Sequence, residues 1–395
     1  MPDVPVELLH AIATGVKSDS VLLQLRLVSK TLNSVVTPLA FRAITVKDSV
    51  QSANVLSFLQ DCDTSITSAV REVIFKGDPK GWRAEADTSG EAGRQALKTA
   101  FSGLAKFPNL EQLRFNFHDG YEEDFSHDIP ENSTHSLRLQ LDIFAGLASS
   151  PPPTLVSLTL NNVVAVPNAI YEEEAFHSVF RGLRTLHLSV LSDTYNEGSY
   201  FQYPLVEFWA KSVAYIIRSA TAVTSLTIRS DQAVGRYPAL SFKDTHLPHL
   251  ESLTLESFVF EPMIPDSDVV VFILAHKARL THLTLRECSI DGGEDCVFLR
   301  PWHAVLALFE AELGCLRTFL LDDHGKAGED EDEDENAVER DLQFVYTRLD
   351  PGYGYMPVDS AVAGTDGDSA ALASLMAALE SRRTAEAADG ADDGN

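Results

Sequence analysis

The sequence predicts an α/β chain in which short N-terminal helices lead into a solenoid of strand–turn–helix units, with parallel strands on a concave face and helices on a convex one. Three observations carry this. A pattern apolar-x-x-apolar-x-apolar recurs in AVREVIF (69–75), NLEQLRF (109–115), TLVSLTL (154–160), GLRTLHL (182–188), AVTSLTI (222–228), HLESLTL (249–255) and RLTHLTL (279–285). Its last three positions alternate apolar, polar, apolar, the signature of a strand with one buried face. Between the copies lie stretches with helical spacing of apolar residues.

The first element, residues 1–40, reads as three short helices. Pro5 suits a first helical turn whose ridge is Leu8, Leu9 and Ile12, Asp19 can cap a second helix carrying Leu22, Leu23 and Leu25, and Ser29 can cap a third that stops before Pro38. Forty helical residues are too few for a core of their own, so they are expected to pack on the repeats or on a partner.

The repeats follow over 41–325. FRAITV (41–46) reads as one more copy, with Phe41, Ile44 and Val46 in the three columns, and CLRTFLL (315–321) as a looser one. Aligning the second-column residues from Val73 through Leu113, Leu158, Leu186, Leu226, Leu253 and Leu283 to Phe319 gives spacings of 27 to 45 residues. A unit of this kind buries its apolar face only against its neighbours. The shorter spacings fit the long leucine-rich repeat, and the longer ones leave room for polar insertions at Asp78–Gly93, Asp119–His135 and Ser192–Tyr203. Helices are expected around Leu205, Phe208, Trp209, Val213, Ile216 and Ile217, from Asp266 or Asp268 to Leu274, and after Pro301 along Trp302, Val305, Leu306, Leu308 and Phe309. A doubly wound sheet would also interleave strands and helices, but strands covered on both faces read as unbroken apolar runs, and these are half polar.

Beyond the repeats the composition shifts. EDEDEDE (329–335) centres an acidic loop over 326–340, since seven like charges repel too strongly to pack. A C-terminal segment over 341–383 ends in a helix from about Asp368 to Ser381 with Leu372, Leu375, Met376 and Leu379 on one face, and 384–395 reads as a disordered tail.

The chain has 395 residues, 58 acidic against 31 basic, for a formal charge of −27. Residues 320–395 hold 20 acids and 5 bases, so the acidity describes the C-terminal end more than the repeats. No basic stripe with interleaved aromatics runs along the strands, which argues against nucleic acid. The longest apolar run, Val269–Ala275, is far short of a membrane span. Four cysteines without a CxxC pair signal neither a disulfide framework nor a zinc knuckle. With no basic leader in the first sixteen residues, the expected location is the cytoplasm or nucleus.

The N-terminal stretch PVELLHAIATGVKSDSVLLQLRLVSKTLNSVVTPLAFRAITV resembles an F-box, whose pattern is met by Pro5, Glu7, Leu8, Leu9, Ile12, Leu22, Leu25, Arg26, Val28, Ser29 and Lys30. Val4 stands where the family usually has leucine. The whole chain is similar in architecture to fungal F-box proteins with irregular leucine-rich repeats. The resemblance implies a substrate-receptor subunit of an SCF-type cullin-RING ubiquitin ligase. Pro5, Leu8, Leu9, Ile12, Leu22, Leu25 and Val28 would face the adaptor, and the repeats would hold a substrate protein. The other reading is a non-enzymatic scaffold whose N-terminal helices only cap the solenoid.

Positions between the buried columns are expected to face the substrate, chief among them Arg114, Asn116, Asn161, His187, Arg229, Glu256, His282 and Arg286. That set holds three arginines and one carboxylate, so the concave face is expected to be neutral to mildly basic and to take an acidic or phosphorylated segment. No catalytic, metal or cofactor site is expected: GxxxxGK[ST], HExxH and GxSxG are all missing from the sequence. His246 and His249 flank Pro248 in a lead-in to a strand, and Cys288 and Cys296 have no histidine beside them.

Overall fold

The computed structural model describes residues 4–77, 88–118, 135–192, 203–261, 265–292, 300–322, 344–350, 353–358 and 366–392. The acidic run 329–335, Cys296 and most of the three expected insertions lie outside them. The protein is α/β, with a large, mostly parallel sheet of twelve strands alternating with helices. The chain divides into two compact units, 1–164 with 169–183, and 165–168 with 184–395.

The first unit opens with α1 (Val6–Thr14), α2 (Asp19–Leu25) and α3 (Lys30–Ala40), followed by β1 (Ala43–Lys47), α4 (Val50–Gln60), α5 (Thr64–Thr67) and β2 (Glu72–Lys76). Then come α6 (Thr88–Ser102), β3 (Gln112–Asn116), α7 (His135–Ser149), β4 (Ser157–Val164) and α8 (Glu174–Ser178). The Ser29 hydroxyl accepts from the Leu32 amide at 3.1 Å and caps α3 as expected. Two expectations fail here. Helix α3 runs through Pro38 rather than ending before it, and Ser18, not Asp19, occupies the position before α2.

The second unit holds β5 (Thr185–Leu191), α9 (Tyr203–Glu207), α10 (Ala214–Ser219), β6 (Ser225–Val234), β7 (Ser252–Phe260), α11 (Val269–Ala275), β8 (His282–Arg286) and β9 (Ser289–Asp291). It continues with α12 (Trp302–Glu312), β10 (Thr318–Asp322), β11 (Val345–Asp350), β12 (Gly354–Pro357) and α13 (Asp368–Asp392). A π-helical turn, Phe208–Val213, joins α9 to α10 and buries Phe208, Trp209 and Val213. Helix α13 reaches Asp392, so 384–392, read from the sequence as tail, is helical.

The sequence columns are the register of the sheet. In the first unit Ile44 pairs with Val73, Val73 with Leu113, and Leu113 with Leu158, all parallel. In the second, Leu186 pairs with Leu226, Leu226 with Leu253, Leu253 with Leu283, and Leu283 with Phe319. These side chains are buried, while Gln112, Arg114, Arg229 and Arg286 on the opposite face are exposed. Two residues past the last column the backbone turns left-handed in three strands, at Asn162 (φ 60°), Ser257 (φ 64°) and Glu287 (φ 48°). The Ser257 hydroxyl donates to the Glu287 carboxylate at 3.1 Å across adjacent turns. Beyond this kink Val259 and Phe260 of β7 pair with β9, and β9 pairs with β11, so the strand ends build a second stretch of sheet.

Aromatic rings hold the first unit together. Phe75 meets Phe101 edge-on at 6.0 Å, Phe101 meets Phe115 at 5.4 Å, Phe117 meets Phe144 at 5.7 Å, and Phe144 meets Phe176 at 5.3 Å. Each edge or tilted pair adds about 0.5–1.5 kcal/mol beyond its buried area.

Candidate functional site

The three N-terminal helices enclose a small core of Ala13, Leu22, Val35 and Val36, flanked by Leu9, Val16, Leu25, Leu32 and Leu39. That corrects the expectation that they have no core of their own. Within the set expected to face the adaptor, Leu22 is 5% exposed, and Leu9 and Leu25 pack half-buried beside it. Pro5, Leu8, Ile12 and Val28 point outward, with Leu8 at 56% and Ile12 at 64% exposure. Sequence reasoning missed Val4, Val6, Val21, Leu23 and above all Leu27, 88% exposed. Helical phase carried the signal. Leu9 and Ala13 stand one turn apart on the inner side of α1, and Leu8 and Ile12 one turn apart on the outer, so the helix is apolar on two faces. Contiguous exposed apolar surface is what a docking face needs, and Leu8 with Ile12, and Leu27 with Val28, are exposed apolar pairs of that kind.

On the open face of the sheet the expected substrate positions are largely engaged with one another. In the first unit Arg114 pairs with Glu72 of β2 at 3.2 Å, and the Asn161 amide donates to the Asn116 carbonyl oxygen at 2.7 Å. In the second unit Arg229 pairs with Glu256 at 2.9 Å. Arg286 stands in register between Glu256 and Asp322. Two of the three arginines are therefore charge-compensated, which removes the basis for a mildly basic face. Glu72 and Asp322 were the missing carboxylates, on β2 and at the end of β10. His187, in register with Thr227, has its basicity lowered by burial and then by Arg229. His282 is exposed, with its ring Nδ1 2.7 Å from the Thr281 hydroxyl.

One constellation has the residue types of a catalytic site. Asp368, 3% exposed, accepts from the Tyr346 hydroxyl at 2.6 Å and from the His303 backbone amide at 2.7 Å, and lies 3.2 Å from the His303 ring Nδ1. The Tyr346 oxygen in turn accepts from the Trp302 amide at 3.0 Å. Trp302 and His303 begin α12, so these oxygens satisfy first-turn N–H groups that the helix itself leaves open. The arrangement reads as a cap that ties β11 and α13 to α12. Tyr346 is pushed above the ordinary tyrosine range, first by burial and then by Asp368, so it keeps its proton near neutrality.

Cys288 is equally structural. Its thiol lies 3.2 Å from the Arg286 carbonyl oxygen, and burial pushes it up to about 12, far from a reactive thiolate. Among the described residues no group of three or more metal-ligating side chains occurs, around His246 and His249 included, and none of the helices is long and apolar enough to cross a membrane.

His276 also has a structural role. Its Nδ1 donates to the Phe272 carbonyl at 2.8 Å, and its Nε2 accepts from the Leu247 amide at 3.3 Å, which fixes a neutral tautomer. Desolvation, opposed by the Phe272 bond, holds it below the ordinary histidine value. The unfolded chain therefore takes up more protons than the folded one as pH falls below about 6.5, and stability drops through that window. His276→Gln, which carries a donor and an acceptor but does not titrate, is expected to flatten the fall in melting temperature between pH 7 and pH 5. A fall as steep as in the parent would place its origin elsewhere, His187 included.

No protein-family model matches the chain, and no curated protein matches its sequence.

Proposed function

We propose that the chain is the substrate-receptor subunit of an SCF-type ubiquitin ligase. An F-box-like helical module would dock the adaptor and, through it, the cullin, and an irregular leucine-rich-repeat solenoid would hold the substrate protein. The observation that carries the reading is the module itself. The motif residues fall on α1–α3 and on the caps and link that join them, Leu8, Ile12 and Val28 of the motif are left uncovered together with Leu27, and Phe41 and Arg42 lead at once into β1. The in-register columns with intervening helices support the solenoid. In this reading the chain carries no chemistry of its own.

The adaptor is recognised chiefly by apolar burial on Leu8, Ile12, Leu27 and Val28. The substrate is recognised by hydrogen bonds from Thr, Ser, Asn and His on the open sheet face more than by net charge, because Arg114 and Arg229 are already paired. Arg286 is the arginine of that set for which the described residues supply no ion pair, so it is the one available to an acidic or phosphorylated group.

A second reading, an interaction scaffold capped by its N-terminal helices, is favoured by the inward side chains of Leu9, Leu22 and Leu25. One experiment separates the two. In the intact chain Leu8→Asp, Ile12→Asp and Val28→Asp together are expected to weaken co-purification with the adaptor by at least about 100-fold, since buried apolar anchors contribute roughly 2 kcal/mol or more each. The melting temperature should stay unchanged, because all three side chains already face solvent. If the parent chain captures no adaptor, the cap reading stands.

A further inference from the structure

In the first unit, the row of side chains just past the last buried column is cationic at one end. Lys47 on β1 stands in register with Lys76 on β2, Lys76 with Asn116 on β3, and Asn116 with Asn161 on β4. Each follows a buried residue, Val46, Phe75, Phe115 or Leu160, so all four lie on the open face, and both lysines are exposed.

Neighbouring strands run about 4.8 Å apart, so the two lysines start from adjacent positions. Like charges set opposite each other destabilise a sheet. A carboxylate on the next strand relieves such a charge elsewhere on this face, where Glu72 takes Arg114 at 3.2 Å. Lys98 and Lys106 of the same unit also have partners, Asp142 at 3.5 Å and Asp61 at 2.7 Å. Among the described residues neither Lys47 nor Lys76 has an ion-pair partner. Asp48, next in the chain, is engaged elsewhere: its side chain is 8% exposed and its carboxylate lies 3.0 Å from the His135 ring Nε2. Asn116 does not compensate them either. Its side-chain oxygen accepts from the Asn161 amide at 2.7 Å, which leaves its Nδ2 to donate.

We propose that Lys47, Lys76 and the Asn116 amide form a binding site for an acidic protein segment, which lays a phosphate group or two adjacent carboxylates across the ends of β1, β2 and β3. Lysine suits that role as a compact charge with three donors on a stem that can follow the ligand. In a chain of formal charge −27, an uncompensated cationic pair concentrates anions against the field of the rest. The site differs from Arg286, which is flanked in register by Glu256 and Asp322. It deepens the ligase reading and rests on it in one respect: that reading makes this face the one that holds substrate, and the lysines give the substrate a class.

The test uses the intact chain and three fluorescent peptides of one glycine–alanine sequence, carrying two phosphoserines, two glutamates or two serines at the centre. Fluorescence polarisation at low salt should detect an acidic peptide and not the serine one, with binding weakening as salt rises. Preference between the two acidic peptides assigns the source of the negative charge. Lys47→Thr with Lys76→Thr should weaken binding by about fivefold or more, as the loss of two exposed charge pairs would. The melting temperature should hold or rise, since two like charges in register are gone. If the double variant does not fold, Lys76→Gln decides alone, with a weakening of about twofold. Failure of both acidic peptides to bind, equal binding of the serine peptide, or undiminished binding in the lysine variants overturns the site. Loss of binding in Arg286→Ser and not in the lysine variants overturns it as well and moves the acidic site to β8. The ligase reading is tested separately, by adaptor capture: a chain that binds acidic peptide through the lysines but captures no adaptor keeps the site and removes the ligase, whereas adaptor capture without peptide binding does the reverse.

Discussion

Phe144→Ala is expected to cost about 3–5 kcal/mol, the range for a fully buried aromatic truncated to a methyl. Phe144 joins two elements in the first unit: its ring meets Phe115 and Phe117 from β3 and its continuation, and Tyr171 and Phe176 on the other side, all within 6.5 Å. The vacated space has no easy way to close. Two residues further along α7, a Cβ on Gly146 would sit 2.4 Å from the Lys98 carbonyl oxygen, so α6 and α7 already touch backbone to backbone. A helix in that contact cannot move inward to fill a cavity, and the cost should fall at the high end of the range. Urea unfolding should show a lower midpoint with an unchanged slope; a loss below about 1 kcal/mol would mean that the site collapses freely.

Asp268→Ala should be nearly as damaging, for an electrostatic reason. Asp268, 3% exposed, accepts from the Val270 and Val271 amides at 2.9 and 3.4 Å and so caps α11. The same carboxylate receives Arg300 through two contacts of 3.0 and 2.8 Å. Removing one partner of a buried pair costs about 3–5 kcal/mol because it strands the other charge, here lessened by the partial exposure of Arg300. The cap adds about 1 kcal/mol. The double variant Asp268→Ala with Arg300→Leu should recover much of the loss. A double variant no better than the single one would locate the cost in the cap and not in the stranded guanidinium.

The strands were legible because each short copy carries three apolar columns, and burial of one face makes those columns the register. Helices were legible where apolar spacing was strong, as from Leu205 to Ile217. What escaped was anything set by long-range partners. Leu22 and Leu8 look alike in a linear motif, and only the packing of α1 and α2 on α3 separates an inward leucine from an outward one. The ion pairs of Arg114 and Arg229 were hidden because each partner lies on the neighbouring strand, 42 residues before for Glu72 and 27 after for Glu256. Strand content after residue 341 was missed because VYTRLD and GYMP find their place only through β9, more than fifty residues upstream.

The left-handed turns at Asn162, Ser257 and Glu287 have an evolutionary consequence. Each lies two residues after the last column, where in β7 the pairing with β8 ends and that with β9 begins, so the column register is set before the variable chain that follows. Loop closure is cheap in any case, about 0.6 kcal/mol for each doubling of length. A lineage can therefore lengthen or shorten the intervals between copies without re-threading the sheet.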